Sequence, residues 1–151
     1  MMRLKRLNHI LTALTFISLF LPPVWANAQV LTDIKVIHAT IGPEQFDSRL
    51  KPILHELKSI FKYTSYKLLK EQRFDLHFNQ EGRVSLPGNR TLVILPSDAD
   101  GKRICYQINI QKNNHSIFQT QVMLKNTNSI TIGGPELDSG VLLINISGTL
   151  Q

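Results

Sequence analysis

Five histidines occur in the 151 residues, and four of them, His38, His55, His77 and His115, lie beyond residue 28. Their separations of 17, 22 and 38 positions match no H-x-H, H-E-x-x-H or Cys/His ligand spacing, so no metal site is read from them. His38 and His77 fall in segments that read as strands, and a shared sheet would bring them together. A lone strand histidine is more often a structural or surface group. There is no G-x-S-x-G elbow, and Asp138-Ser139-Gly140 reads as a turn tip. Cys105 is the only cysteine. It excludes an intramolecular disulfide, carries no cysteine-protease signature, and sits where a small packed residue is expected. The scattered carboxylates single out no pair for glycoside hydrolysis. No catalytic residue and no cofactor follow from these residues.

Gly133-Gly134-Pro135 admits two readings. Successive glycines can present backbone N–H groups to an anion. No lysine or helix start follows at phosphate-loop spacing, so a left-handed turn reversing one strand into the next is preferred, with Pro135 fixing the exit. The one patterned surface feature is basic. Lys51, His55, Lys58 and Lys62 fall at i, i+4, i+7 and i+11, a helical stripe roughly 130° from the apolar face. Lys67, Lys70 and Arg73 follow. From Arg49 to Arg73 seven Lys/Arg stand against Glu56 and Glu71, an excess of five positive charges. Such a segment could meet lipid headgroups, lipopolysaccharide phosphate or an acidic partner, or be a solvated face that keeps the protein soluble.

These residues must be held by elements that the hydrophobic pattern marks out. Asp33–Thr40 is a β-branched run and predicts an opening strand. Phe46, Leu50, Ile53, Leu54, Leu57 and Phe61 recur with helical spacing. Asp47 is the candidate N-cap, Pro52 blurs the start, and the helix ends near Phe61. From Tyr63 the period becomes two, through 63–68, 74–78, 83–86, 91–95, 104–110, 117–125, 130–132 and 141–147, with short polar turns between. The expected fold is α+β: mostly antiparallel strands, a small sandwich or meander of about seven to eight, with one amphipathic helix near the mature N-terminus. The predicted core joins Leu50, Ile53, Leu54, Leu57 and Phe61 to Ile108, Val122, Leu143 and Ile144.

The address is written at the start of the chain. Arg3, Lys5 and Arg6 precede the apolar Ile10–Leu21 run, then come Pro22-Pro23 and Ala26-Asn27-Ala28, a secretory signal over 1–28 cleaved after Ala28. The run is shorter than the ~20 residues a membrane span needs, and no second run reaches that length, so no transmembrane anchor is expected after processing. Residues 29–151 make one exported domain, periplasmic or secreted. The pI of 9.7 overstates its basicity, because three of the 17 Lys+Arg lie in the signal. The remaining 14 against 11 acids leave a mild bias, not a nucleic-acid footprint. Three N-x-S/T sequons, at Asn89, Asn114 and Asn145, read as chance matches.

Val36-Ile37-His38-Ala39, Phe61-Lys62-Tyr63-Thr64-Ser65-Tyr66-Lys67-Leu68-Leu69, Leu86-Pro87, and Ile132-Gly133-Gly134-Pro135 leading to Gly140–Ile144 are packing and turn patterns. In them the chain resembles a group of small, signal-bearing exported proteins of Gram-negative bacteria without assigned function. The resemblance implies a single exported β-rich domain and contributes no catalytic residue. The expected function is a non-enzymatic cell-envelope binding or accessory module whose partner is an envelope protein or an anionic envelope surface. Two alternatives stand beside it: a small exported hydrolase with an unrecognised His/carboxylate site, drawing on His38, His77, Asp75 or Glu81, and an electrostatic binder of anionic lipid or lipopolysaccharide through the basic stripe.

Overall fold

Alternation of buried and exposed residues runs through most of the nine strands of the computed structural model, which describes residues 28–151. The predicted secretory signal lies outside the described residues except for Ala28. Sheet A contains β1 (Gln29–Thr40), β2 (Gln45–Phe46), β3 (Ser65–His77), β8 (Ser129–Leu137) and β9 (Gly140–Leu150), in the order β2-β3-β1-β9-β8. Sheet B is an antiparallel meander of β4 (Gly82–Leu86), β5 (Arg90–Ala99), β6 (Arg103–Lys112) and β7 (His115–Lys125). All pairings are antiparallel except the two-residue contact of β2 with β3. The first and last strands of the described residues lie in sheet A, where β1 pairs with β9 along almost its whole length. This is the expected α+β class, a β-rich sandwich with one short helical segment.

The two faces of sheet A carry separate hydrophobic clusters. One face packs on sheet B, joining Val30, Ile34, Val36, Leu76, Ile144 and Ile146 to Val84, Leu92, Ile94, Ile104, Tyr106 and Ile108. Within it Tyr106 Oη lies 2.8 Å from Thr32 Oγ1, both buried, so each hydroxyl has a partner. Burial pushes the Tyr106 phenol up to about 12. A Cβ on Gly148 would stand 2.5 Å from that hydroxyl, so only glycine leaves the ring its room. The other face carries Ile37, Ala39, Tyr66, Leu68 and Leu143 under Leu50 and Leu57 of the helical segment, with Ile53, Leu54 and Phe61 half-buried around them. The single core predicted from sequence is thus corrected. Leu143 joins the helix cluster, while Ile108, Val122 and Ile144 belong to the sandwich. The reason is the pleat: successive strand residues face opposite sides, so Leu143 and Ile144 cannot share a layer.

The helical segment is two short pieces, a 3-10 stretch Ser48–Ile53 and the α-helix α1, Leu54–Ile60. Asp47 caps it, accepting from the Arg49 N–H at 3.0 Å. Pro52 supplies no amide donor, and Leu54 N–H closes on the Lys51 carbonyl, so regular helix begins only after it. At the far end Tyr66 Oη lies 3.2 Å from the carbonyls of both Leu57 and Phe61, a cap contributed by β3 across the cluster.

Two irregularities set which side chains face where. β3 carries one extra residue, Leu69, between the pairs Ile37↔Leu68 and Val36↔Lys70. Tyr66 and Leu68 therefore face the helix, while Gln72, Phe74 and Leu76, of the same parity, face sheet B. Gly133-Gly134-Pro135 is the second. Its expected role as a left-handed turn is corrected: the three residues lie inside β8 at a register shift against β9, and neither glycine has positive φ. The reversal falls at Asp138-Ser139, with Asp138 at φ 49°. Pro135 is tolerated there because β8 is a sheet edge.

Candidate functional site

The predicted basic residues divide over the two faces of sheet A. Lys51 and His55 are exposed on the helical segment, and Lys62 is exposed just beyond α1. Because the 3-10 stretch winds differently from an α-helix, Lys51 to Lys62 do not ride one regular helix. Lys58 is engaged: its ammonium donates to the Glu44 carboxylate and lies 5.8 Å from the centre of the Phe46 ring. The Glu44 carboxyl is lowered by that hydrogen bond and by the Lys58 charge. Arg73 forks onto Asp33, its directly paired neighbour on β1, at 2.6 and 3.1 Å. Lys35 and Glu71, also directly paired, lie 2.7 Å apart.

Lys67 and Lys70 are placed together by the Leu69 bulge. In a regular strand, positions three apart point to opposite faces. With the extra residue, Lys67 pairs with His38 and Lys70 with Val36, both on the side facing sheet B. β2 covers only Ser65 and Tyr66, so the rest of β3 is a sheet edge, and both lysines stand exposed along it. Among the described residues six ion pairs use Lys35, Arg49, Lys58, Arg73, Arg83 and Arg103. Lys51, Lys62, Lys67 and Lys70 have no ion pair among the described residues. Lys67 and Lys70 belong to the β3 edge, Lys51 and Lys62 to the helical segment and the residues just after it.

A polar cleft of about 410 Å³ opens at the same corner. Its lining is His38, Thr40, Gln45, Asp47, Ser65 and Lys67 together with the aromatic Phe46 and Tyr66, and no residue of sheet B. Register explains the composition: His38↔Lys67, Thr40↔Ser65 and Gln45↔Ser65 share the face of sheet A that projects past its partner sheet. His38 Nε2 lies 3.1 Å from the Leu137 carbonyl oxygen, which can only accept, so that nitrogen donates. Asp47 spends both carboxylate oxygens on Arg49, taking Nε at 3.0 Å and Nη2 at 2.7 Å besides the amide. These bonds lower its carboxyl to about 2, the side-chain pairing with Arg49 first and the backbone bond second. The cleft thus offers one cation, one imidazole, hydroxyls, an amide and the rings of Phe46 and Tyr66, with its carboxylate already committed.

The four residues that a hydrolase reading would converge do not meet. His77 pairs with Gln29 at the opposite end of β1 from His38, ~30 Å away at ~3.3 Å per residue. Asp75 is exposed on β3, and Glu81 pairs with Arg83 at 2.7 Å. Among the described residues no three His, Cys, Asp or Glu side chains come together to hold a metal. Cys105 is packed, its Sγ accepting from Gln121 Nε2 at 2.7 Å. Asn145 is 3% exposed and donates to Thr131 Oγ1 at 2.8 Å, an inaccessible position for a glycan. Sequence reasoning missed the cleft because its members lie on three elements. The charged and polar alternation at His38, Thr40, Ser65 and Lys67 was its only local signal.

No family model matches the chain, and no curated protein matches it. Among solved structures the T2SS secretin XcpQ from Pseudomonas aeruginosa is similar at 12% identity over 82% of this chain and 57% of that one. The TM-score is 0.34, which does not establish a shared fold. Among the described residues no helix is long and apolar enough to cross a membrane.

Proposed function

We propose that this is a non-enzymatic binding module of the cell envelope, exported by its N-terminal signal, that meets an anionic envelope surface or an acidic envelope partner at the β2–β3 edge. The resemblance to small exported proteins of Gram-negative bacteria belongs to the same reading. One observation carries it: Lys67 and Lys70 on the β3 edge, and Lys51 and Lys62 on and just beyond the helical segment, are exposed and without an ion pair among the described residues, while Lys58 and Arg73 are paired with Glu44 and Asp33.

The test compares binding to phosphatidylglycerol vesicles with binding to phosphatidylcholine vesicles. Attraction through exposed lysines fades with salt, because the Debye length falls from ~10 Å at 0.1 M to ~3 Å at 1 M. With each lysine near such a surface worth ~1 kcal/mol, changing all four to glutamine lowers affinity by ~100-fold or more. Lys58→Gln produces a much smaller loss, since its charge is already matched. Binding that ignores salt and the quadruple substitution overturns the proposal and leaves these lysines as guards of an open sheet edge.

A further inference from the structure

A β-sandwich has four lateral edges, and this one protects three of them. The β2–β3 edge carries the Leu69 bulge, Lys67 and Lys70. Edge β8 is interrupted by Gly133-Gly134-Pro135 and its register shift. Edge β4 is only five residues long. Bulges, charges, prolines and brevity are the devices that stop a strand edge from pairing with another chain. β7 has none of them along its main run. It is eleven residues long, and among the described residues no strand pairs with its outer side. Its one bulge lies at Ile117, near the start. From Ser116 to Leu124 it contains no charge, no proline and no glycine.

We infer that β7 is a self-association strand, pairing antiparallel with β7 of a second copy to join two four-stranded sheets into one. The occupant follows from the side chains. A strand that pairs with itself keeps both cores on one side only if the symmetry axis passes through a residue, because facing residues share a face. With the axis at Gln121, inward-facing Phe118 meets Leu124 and Thr120 meets Val122. On the outer face Gln119 meets Met123. Lys125, the charged residue closing the strand, falls opposite the bulged Ile117 and not opposite itself. No like charges meet, and Met123, 59% exposed, gains a neighbour. Half-buried Phe118 and Val122, which line the open flank of the sandwich, are covered by the continuing sheet. An uncharged strand offers a strongly charged partner segment no electrostatic handle.

Sedimentation equilibrium of the purified protein tests this at position 121, where two copies of one side chain meet. Wild type is expected to show a concentration-dependent dimer. Gln121→Lys and Gln121→Glu each place like charges face to face, and each is expected to raise the dissociation constant by ~5-fold. An equimolar mixture of the two variants is expected to recover dimer at or above the wild-type level, a rescue that a folding defect cannot produce. Circular dichroism melts of the separate variants report that each is folded. A wild type that stays monomeric at millimolar concentration overturns the inference, even if a strand of another protein is later found on this edge. A dimer indifferent to both substitutions, or a mixture no better than its components, overturns it equally.

Discussion

The two faces of sheet A are closed by different means. Where sheet B covers it, the face toward that sheet is apolar, with only the Thr32–Tyr106 hydroxyl pair inside; at the corner that projects past sheet B it carries His38, Thr40, Ser65 and Lys67. The opposite face is covered only where the 13 residues Ser48–Ile60 reach. β1 records that footprint. Its outward positions are Ile37 and Ala39 under the helical segment, but Asp33 and Lys35 beyond it, each paired with the charge directly across on β3. A sheet face needs apolar residues only as far as its cover extends. Past that limit, directly opposed charges are the alternative, and exposed pairs of this kind add little stability.

This difference makes ranked predictions. Ile108 is fully buried between two sheets that cannot close on a cavity, so Ile108→Ala should cost toward the upper end of ~2–5 kcal/mol in denaturant unfolding. Leu57 is equally buried, but its cover is a short segment that can settle. Leu57→Ala should fall toward the lower end of ~2–5 kcal/mol, and hydrogen exchange should speed at α1 before it does at β6. Equal losses with uniform exchange would mean that both faces unfold as one unit and the comparison is empty.

The smallest effect concerns the cap of the covered half. The folded-state carboxyl of Asp47 is lowered to about 2, so its contribution is complete above the ordinary value of ~3.9 and is lost as pH falls through about 2. The Arg49 amide resonance, reporting its bond to that carboxylate, should titrate with a midpoint near 2. A midpoint at the ordinary ~3.9 would show the cap and its Arg49 fork to be absent in solution.

Alternating, β-branched and short apolar runs fell on every long strand, though β3 was read as two runs, 63–68 and 74–78, on either side of the Leu69 bulge, and the 3.6-residue spacing located the helical segment. Turn chemistry was legible at Asn113-Asn114, which take positive φ between β6 and β7 as a tight hairpin requires. The seven basic positions were legible as a composition. Which of them keep a free charge was not, since Glu44 and Asp33 are distant in sequence from Lys58 and Arg73.

What the sequence determined alone was the β-rich class with one helical segment, the absence of an intramolecular disulfide and the alternating residues available to each face; β2 and the continuity of β3 and β8 were not in it. Tertiary structure decided how the residues divide between two clusters, because a strand pattern names two faces without saying what covers either. It also decided that Leu69 is a bulge and Gly133-Gly134-Pro135 an interrupted edge and not a turn. A register shift is a property of two strands, and one strand's sequence does not contain it. The same holds for the unguarded β7: an edge exists only once the order of strands in the sheet is set.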